Sequence, residues 1–268
     1  MAPKRVPMAI GALLALTAAL TVAPTTTTAS SFAYLNVSPV EIDTTPAGGT
    51  STDTLYVNYA TGNRTFDVTH ENKGTCLSTH FEEDIRGVPV SFPVSERQVS
   101  WNGNTYELKN IHYHAKGEHK QDNQPDYPAV EAHLLHQGPG GAHDLLVLVV
   151  LLDVNNSPSP TNSAHDDLLV TPPNECDPAI NRNVNLRGLI PTQPASPAQA
   201  GSWRYVGSKT TPETHGGSDY WYPVQFVIFK QRQTITPTTL TMLRSRWSGP
   251  QFNAKPLTAA TPTFSETP

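Results

Sequence analysis

Asn110-Ile-His-Tyr-His-Ala-Lys-Gly-Glu-His119 and, after a polar loop, Glu131-Ala-His-Leu-Leu-His136 are the stretches on which the reading of this chain turns. Strand side chains alternate with period two, so on a strand His112 and His114 point to one face. By the same rule Glu131, His133 and Leu135 share one face of a second strand. If the two strands are neighbours, three imidazoles converge from His112, His114 and His133. Three neutral nitrogens with a fourth position open to water are the ligand set of a catalytic Zn2+ site. Such a site lowers the pKa of bound water to about 7, which makes hydroxide available at neutral pH. Zinc-bound histidines usually donate their other ring N–H to a carboxylate or amide. Glu131 stands two residues before His133, and Asn110 two before His112, each in place for that task. A lone His-x-His says little, since any one of the ten histidines is ordinarily a surface or satisfied core side chain. The constellation carries the argument.

The rest of the chain reads as a frame for that site. Its 268 residues allow one large domain, and 37% apolar residues supply a sizeable core. A formal net charge of −5 gives no reason to expect nucleic acid or an anionic membrane surface as a partner. Lys4 and Arg5, an apolar run from Val6 to Ala23 and a small, Thr-rich stretch to Ser31 read as an export signal. The expected organisation is a secretory signal over 1–30, a domain over 31–260 and a disordered tail over 261–268. The product would be secreted, extracellular or periplasmic, with no membrane association after cleavage; an uncleaved anchor is the alternative. In an oxidising compartment Cys76 and Cys176, the two cysteines, would form one disulfide; two separate buried thiols are the other reading.

Strand signals dominate. Leu55–Tyr59 alternates, and Arg64–His70 reads as a further strand. Trp101-Asn-Gly-Asn-Thr-Tyr-Glu-Leu108 reads as a hairpin turning at Asn102-Gly103 and leading into the His112 strand. Leu145–Leu152 is apolar on both faces and strand-length, a buried central strand, and Val224–Phe229 is another. Pro89 and Pro93 argue against a central strand within 84–100, and 155–179 reads as irregular. Thr236, Pro237 and a late Arg pair mark a short helix to Arg246. The fold class is mainly β (α+β): a single domain on a large central, mostly antiparallel sheet with a few short peripheral helices.

These segments together resemble the α-class carbonic anhydrases. That family shows His-x-His, a Glu-His pair and Glu-x-His-x-x-His, here His112-Tyr-His114, Glu118-His119 and Glu131-Ala-His133-Leu-Leu-His136. Val37-Ser-Pro-Val-Glu-Ile-Asp43 is similar to its Gln-Ser-Pro segment. Leu186–Pro191 resembles the approach to its Gly-Ser-x-Thr-Thr-Pro motif, which is Gly207-Ser-Lys-Thr-Thr-Pro212 here. The resemblance runs in order from about Asn36 to Leu257.

It implies zinc held by His112, His114 and His133. Thr210 would accept a hydrogen bond from zinc-bound hydroxide and donate to Glu118, and Thr211 would help seat bicarbonate. Leu135, Val147 and Phe226 would form the apolar wall for carbon dioxide. The implied reaction is reversible hydration of carbon dioxide to bicarbonate and a proton.

The chain also departs from the family pattern. Lys209 replaces an apolar residue before Thr-Thr, Phe226 a tryptophan and Asn110 a glutamine, and Glu213–Pro223 is an insertion. Where many members carry a proton-shuttling histidine, Asn72-Lys-Gly-Thr75 offers Thr75, which leaves His70, His80 or His215 as substitutes. A secreted binding or adhesion protein on the same fold, with chemistry lost or slow, is the competing function. Oligomeric state stays open.

Overall fold

The computed structural model describes residues 38–45, 52–71, 84–157, 163–191, 201–210, 213–215, 218–247, 257 and 265–267. The expected signal over 1–30, Cys76, Thr75, His80 and Thr211 lie outside these residues.

In chain order the strands are β1 (Glu41–Ile42), β2 (Leu55–Tyr59), β3 (Asn63–Glu71), β4 (Asp84–Pro89), β5 (Arg97–Trp101) and β6 (Asn104–His114). There follow β7 (Lys120–Gln121), β8 (Val130–Gln137), β9 (Leu145–Val154), helix α1 (Ala164–Leu169), β10 (Ile180–Asn185) and β11 (Ser202–Ser208). The last elements are β12 (Glu213–His215), β13 (Ser218–Tyr220), β14 (Pro223–Phe229), β15 (Gln233–Ile235), helix α2 (Pro237–Arg246) and β16 (Ser265–Thr267). Among the described residues one twelve-stranded sheet runs β10-β3-β4-β6-β8-β9-β14-β11-β16, with β5 joining β2 to β6 and β15 beside β9. Its pairings are antiparallel except for β9 with β14 and β9 with β15. No helix among the described residues is long and apolar enough to cross a membrane.

The central strand explains its own composition. Leu145 to Leu152 are all buried. Leu146, Leu148, Val150 and Leu152 enter one apolar cluster with Ile111, Tyr113, Leu134 and the helix residues Leu168 and Leu243. Leu145, Val147, Val149 and Leu151 enter a second cluster with Trp203, Tyr205, Phe226 and Ile228. With protein on both faces, alternation has no function, so the run is apolar throughout. Each such side chain contributes about 1.5–3 kcal/mol by leaving water.

The Asn102-Gly103 turn joins β5 to β6 as read, with positive φ at both residues (49° and 81°). Two positive φ values suit the right-handed twist of the hairpin, and glycine adopts the second without steric cost. At 11 residues, β6 is long enough to pair with β5 near its start and with β4 at Ile111 and His112. Its register with β8 slips between Leu108 and Asn110, leaving Lys109 as an extra residue. That bulge reverses the alternation. Tyr106 and Leu108 therefore join Ile111 and Tyr113 in one core, while Asn110, His112 and His114 keep the other face.

Three expectations need correction. Asp84–Pro89 is an interior strand between β3 and β4's other neighbour β6. Pro89 ends it, at a position where the missing N–H breaks little of the ladder. The region read as irregular contains α1, whose N-cap Ser163 and third residue Asp166 form a reciprocal capping box. The tail read as disordered contains β16, which pairs Ser265–Thr267 with β11 and satisfies backbone groups on its open edge. Helix α2 begins as read, with Thr236 as N-cap and Pro237 in its first turn.

One carboxylate joins the helices. Asp166 Oδ2 accepts from Ser163 N–H and hydroxyl, and its Oδ1 accepts from Thr236 N–H (2.8 Å) and from the Thr236 and Thr239 hydroxyls. Burial would raise its pKa, but these hydrogen bonds hold it below the ordinary value.

Candidate metal centre

β6 and β8 are adjacent and antiparallel, with His112 opposite His133 and His114 opposite Glu131. The three imidazoles meet on one face, with ring centroids 4.7–5.3 Å apart. One nitrogen from each of His112, His114 and His133 lies within 4.8 Å of the others, close enough for a single ion.

The partners decide which nitrogen each ring presents. His112 Nδ1 is 2.9 Å from Asn110 Oδ1, an acceptor, so Nδ1 carries the proton and Nε2 the lone pair. His114 Nδ1 lies 3.3 Å from Glu118 Oε1, which leaves Nε2 for an ion in the same way. His133 is the reverse: Nε2 donates to Glu131 Oε1 at 2.5 Å, so Nδ1 keeps the lone pair. A neutral imidazole with a fixed tautomer is what zinc requires of a histidine. The donor set therefore fits that ion.

Glu131 is the hub behind the rings. Its Oε1 also accepts from His119 Nδ1 at 2.6 Å, and its Oε2 accepts the backbone N–H groups of Glu118 (2.9 Å) and His119 (2.8 Å). Burial alone would push this carboxyl up. The hydrogen bonds it accepts from His119 and His133 hold it well below the usual range instead, so it is ionised.

The chain of bonds continues outward. Tyr205 O–H donates to His119 Nε2 at 2.6 Å, and Ser38 O–H donates to Tyr205 Oη at 3.0 Å. Ser38 Oγ in turn accepts the Ser208 N–H at 3.1 Å. Burial, with the nearby Glu131 and Glu118 carboxylates, keeps the Tyr205 hydroxyl protonated. Gly207 lets the strand come this close: a Cβ there would lie 2.1 Å from Ser38 Oγ.

The apolar residues fall into one register row beside the histidines. Asn110 pairs with Leu135, Leu135 with Val147, Val147 with Phe226, and Phe226 with Tyr205. Val147 and Phe226 are buried and Leu135 half-buried. The Phe226 ring stacks on Tyr205 and meets His119 at 5.5 Å and His133 at 6.3 Å between centroids.

Thr210 is half-buried in the bend after β11, and Glu118 is fully buried beside His114. Lys209 turns its ammonium to Glu213 Oε1, 2.6 Å away. His70 is buried on β3, while His215 belongs to β12 in the insertion. Cys176 donates its N–H to His70 O, bringing it beside the strand that ends one residue before segment 72–80.

Tyr205 was not singled out by the sequence, although Trp203, Tyr205 and Gly207 alternate into the Gly-Ser motif. The same holds for His143, whose ring stacks on Tyr222 at 3.5 Å.

These features define the class. The profile of the eukaryotic-type carbonic anhydrase family matches residues 27–260, and the chain belongs to that family. Among solved structures it is similar to the Photobacterium profundum α-carbonic anhydrase, at 20% identity and a TM-score of 0.60, covering 88% of this chain and 90% of that one. A Chlamydomonas reinhardtii carbonic anhydrase in complex with acetazolamide is similar at 20% identity, TM-score 0.63, covering 89% and 92%. Dioscorin complexed with ascorbate is similar at 18% identity, TM-score 0.61, covering 87% and 86%. No curated protein sequence matches the chain.

Proposed function

We propose that this chain is an exported, zinc-dependent carbonic anhydrase that hydrates carbon dioxide reversibly. The observation that carries the reading is the donor set. One nitrogen from each of three rings lies within 4.8 Å of the other two, and each ring has its second nitrogen turned to an amide or carboxylate oxygen. Zinc held there supplies a nucleophilic hydroxide at neutral pH. His112 and His114 would offer Nε2 and His133 Nδ1.

The chain's own groups do the rest. Leu135, Val147 and Phe226 exclude water and receive an apolar substrate. Thr210 Oγ1 would accept from the nucleophile that zinc supplies and would direct its own proton to Glu118, since a carboxylate can only accept. The nucleophile's lone pair would thereby face the substrate carbon, and Thr211 would help seat the product anion. Segment 1–30 is read as the export signal and 31–260 as the catalytic domain. Cys76–Cys176 is read as a bridge, supported by the position of Cys176 against β3.

A second reading is a binding protein on this fold; similarity to an ascorbate-complexed dioscorin favours weighing it. Zinc analysis and stopped-flow hydration of the wild type and His114→Ala separate the two. About one zinc per chain is expected, with both metal and hydration lost in the variant. Hydration retained by His114→Ala would overturn the site. Ligand affinity unaffected by stripping the metal, with no hydration at all, would favour the binding protein.

A further inference from the structure

Segment 213–222 stands outside the site described so far, yet both its ends meet one residue. At its start Glu213 Oε1 accepts from Lys209 Nζ at 2.6 Å. At its end the Tyr222 carbonyl accepts Lys209 N–H at 2.8 Å. Between them β12 and β13 pair as a hairpin, with Glu213 opposite Tyr220. The turn before β9 closes the cluster: His143 lies flat on Tyr222, 10° between ring planes, with Nδ1 3.9 Å from Glu213 Oε1. From the other side Ser208 Oγ donates to the Lys209 carbonyl at 3.0 Å, while Ser208 N–H is held by Ser38. Lys209 is thus tied at its N–H, its carbonyl and its ammonium. The next residue is Thr210.

We propose that Lys209 is a positioning residue, and that the inserted hairpin braces the backbone presenting Thr210 through the Lys209–Glu213 pair and the Tyr222 carbonyl. The inference rests on the hydration reading of the site. A lysine at 209 needs a counter-charge, and the insertion supplies it in Glu213. Both side chains are about a third exposed, 31% and 32%. Such a pair adds little to global stability. Its effect lies in geometry, where a small displacement of an orienting hydroxyl costs rate.

The test uses the full zinc-loaded chain as wild type, Glu213→Gln, Lys209→Met, the double variant and Lys209→Arg. Glu213→Gln and Lys209→Met are each expected to lower kcat/KM for hydration about tenfold at unchanged zinc content. The double variant should be no worse than either single, and Lys209→Arg should recover most of the loss. Independently of turnover, exchange of the residue-209 amide hydrogen should accelerate in Glu213→Gln and Lys209→Met, and slow again with Lys209→Arg. An active wild type with turnover and exchange both unaltered in Glu213→Gln overturns the brace. Faster exchange without loss of turnover overturns the positioning role. A zinc-loaded wild type with no hydration overturns the proposed function itself.

Discussion

Replacing Glu131 by glutamine isolates the hub behind the candidate metal centre. The carboxylate is fully buried and accepts four N–H groups, two on each oxygen. A glutamine has one acceptor edge and one donor edge. Whichever way it turns, its NH2 faces two donors: either the backbone N–H groups of Glu118 and His119, or the His119 and His133 rings. Two hydrogen bonds to a charged acceptor, about 1.5–3 kcal/mol each, are lost. The expected destabilisation is about 3–6 kcal/mol, a large part of the 5–15 kcal/mol typical of a domain. His133 also loses the partner that fixes its tautomer. Metal affinity should fall about 10- to 100-fold. Urea unfolding at pH 7.5 and chelator competition for zinc read the two effects. A Glu131→Gln protein with wild-type unfolding midpoint and zinc affinity would refute the claim that this network orients the ring.

Acid should weaken the fold through His136 and His165. Both are buried, and burial lowers their pKa values from the ordinary 6.5 to about 3 and about 4. Below pH 6.5 the unfolded chain takes up these protons while the native state does not, so their contribution is intact above 6.5 and lost as pH falls toward the folded values. At pH 5 each residue should have cost about 2 kcal/mol. Urea titrations of wild type and His136→Gln from pH 7.5 to 5 check this; equal pH slopes would contradict it. Asp166→Ala removes the carboxylate that binds the N-cap residues of both helices, Ser163 and Thr236, and should cost about 3 kcal/mol, seen as a lowered unfolding midpoint at unchanged zinc content. Cys176→Ser should cost about 2–4 kcal/mol if the Cys76–Cys176 bridge forms, and reductant should then affect the wild type but not the variant.

Much of the site was legible because its chemistry is local. The period-two spacing of His112 and His114, and of Glu131 and His133, places each pair on one strand face whatever the rest of the chain does. The two-faced apolar run at Leu145–Leu152 likewise demands cover on both sides. Less visible was anything resting on contacts between distant segments. Ser163-Ala-His-Asp166 had a capping signature, but its tertiary role, capping α2 through Thr236 as well, has no sequence signal. Pro89 misled because a proline's effect depends on whether it ends or interrupts the ladder, which pairing alone decides.

By itself the sequence determined the strand-rich class, the three imidazoles, their immediate oxygen partners Asn110 and Glu131, and the turn at Asn102-Gly103, because each follows from alternation or backbone geometry over a few residues. Only the tertiary structure decided that β6 and β8 lie side by side in the register that sets His112 opposite His133. It alone placed the bulge at Lys109, ran the line from Glu131 through His119 and Tyr205 to Ser38, and turned Lys209 to Glu213. Those outcomes depend on which distant strands pair and how closely their backbones approach, and that is settled by packing the whole sheet at once.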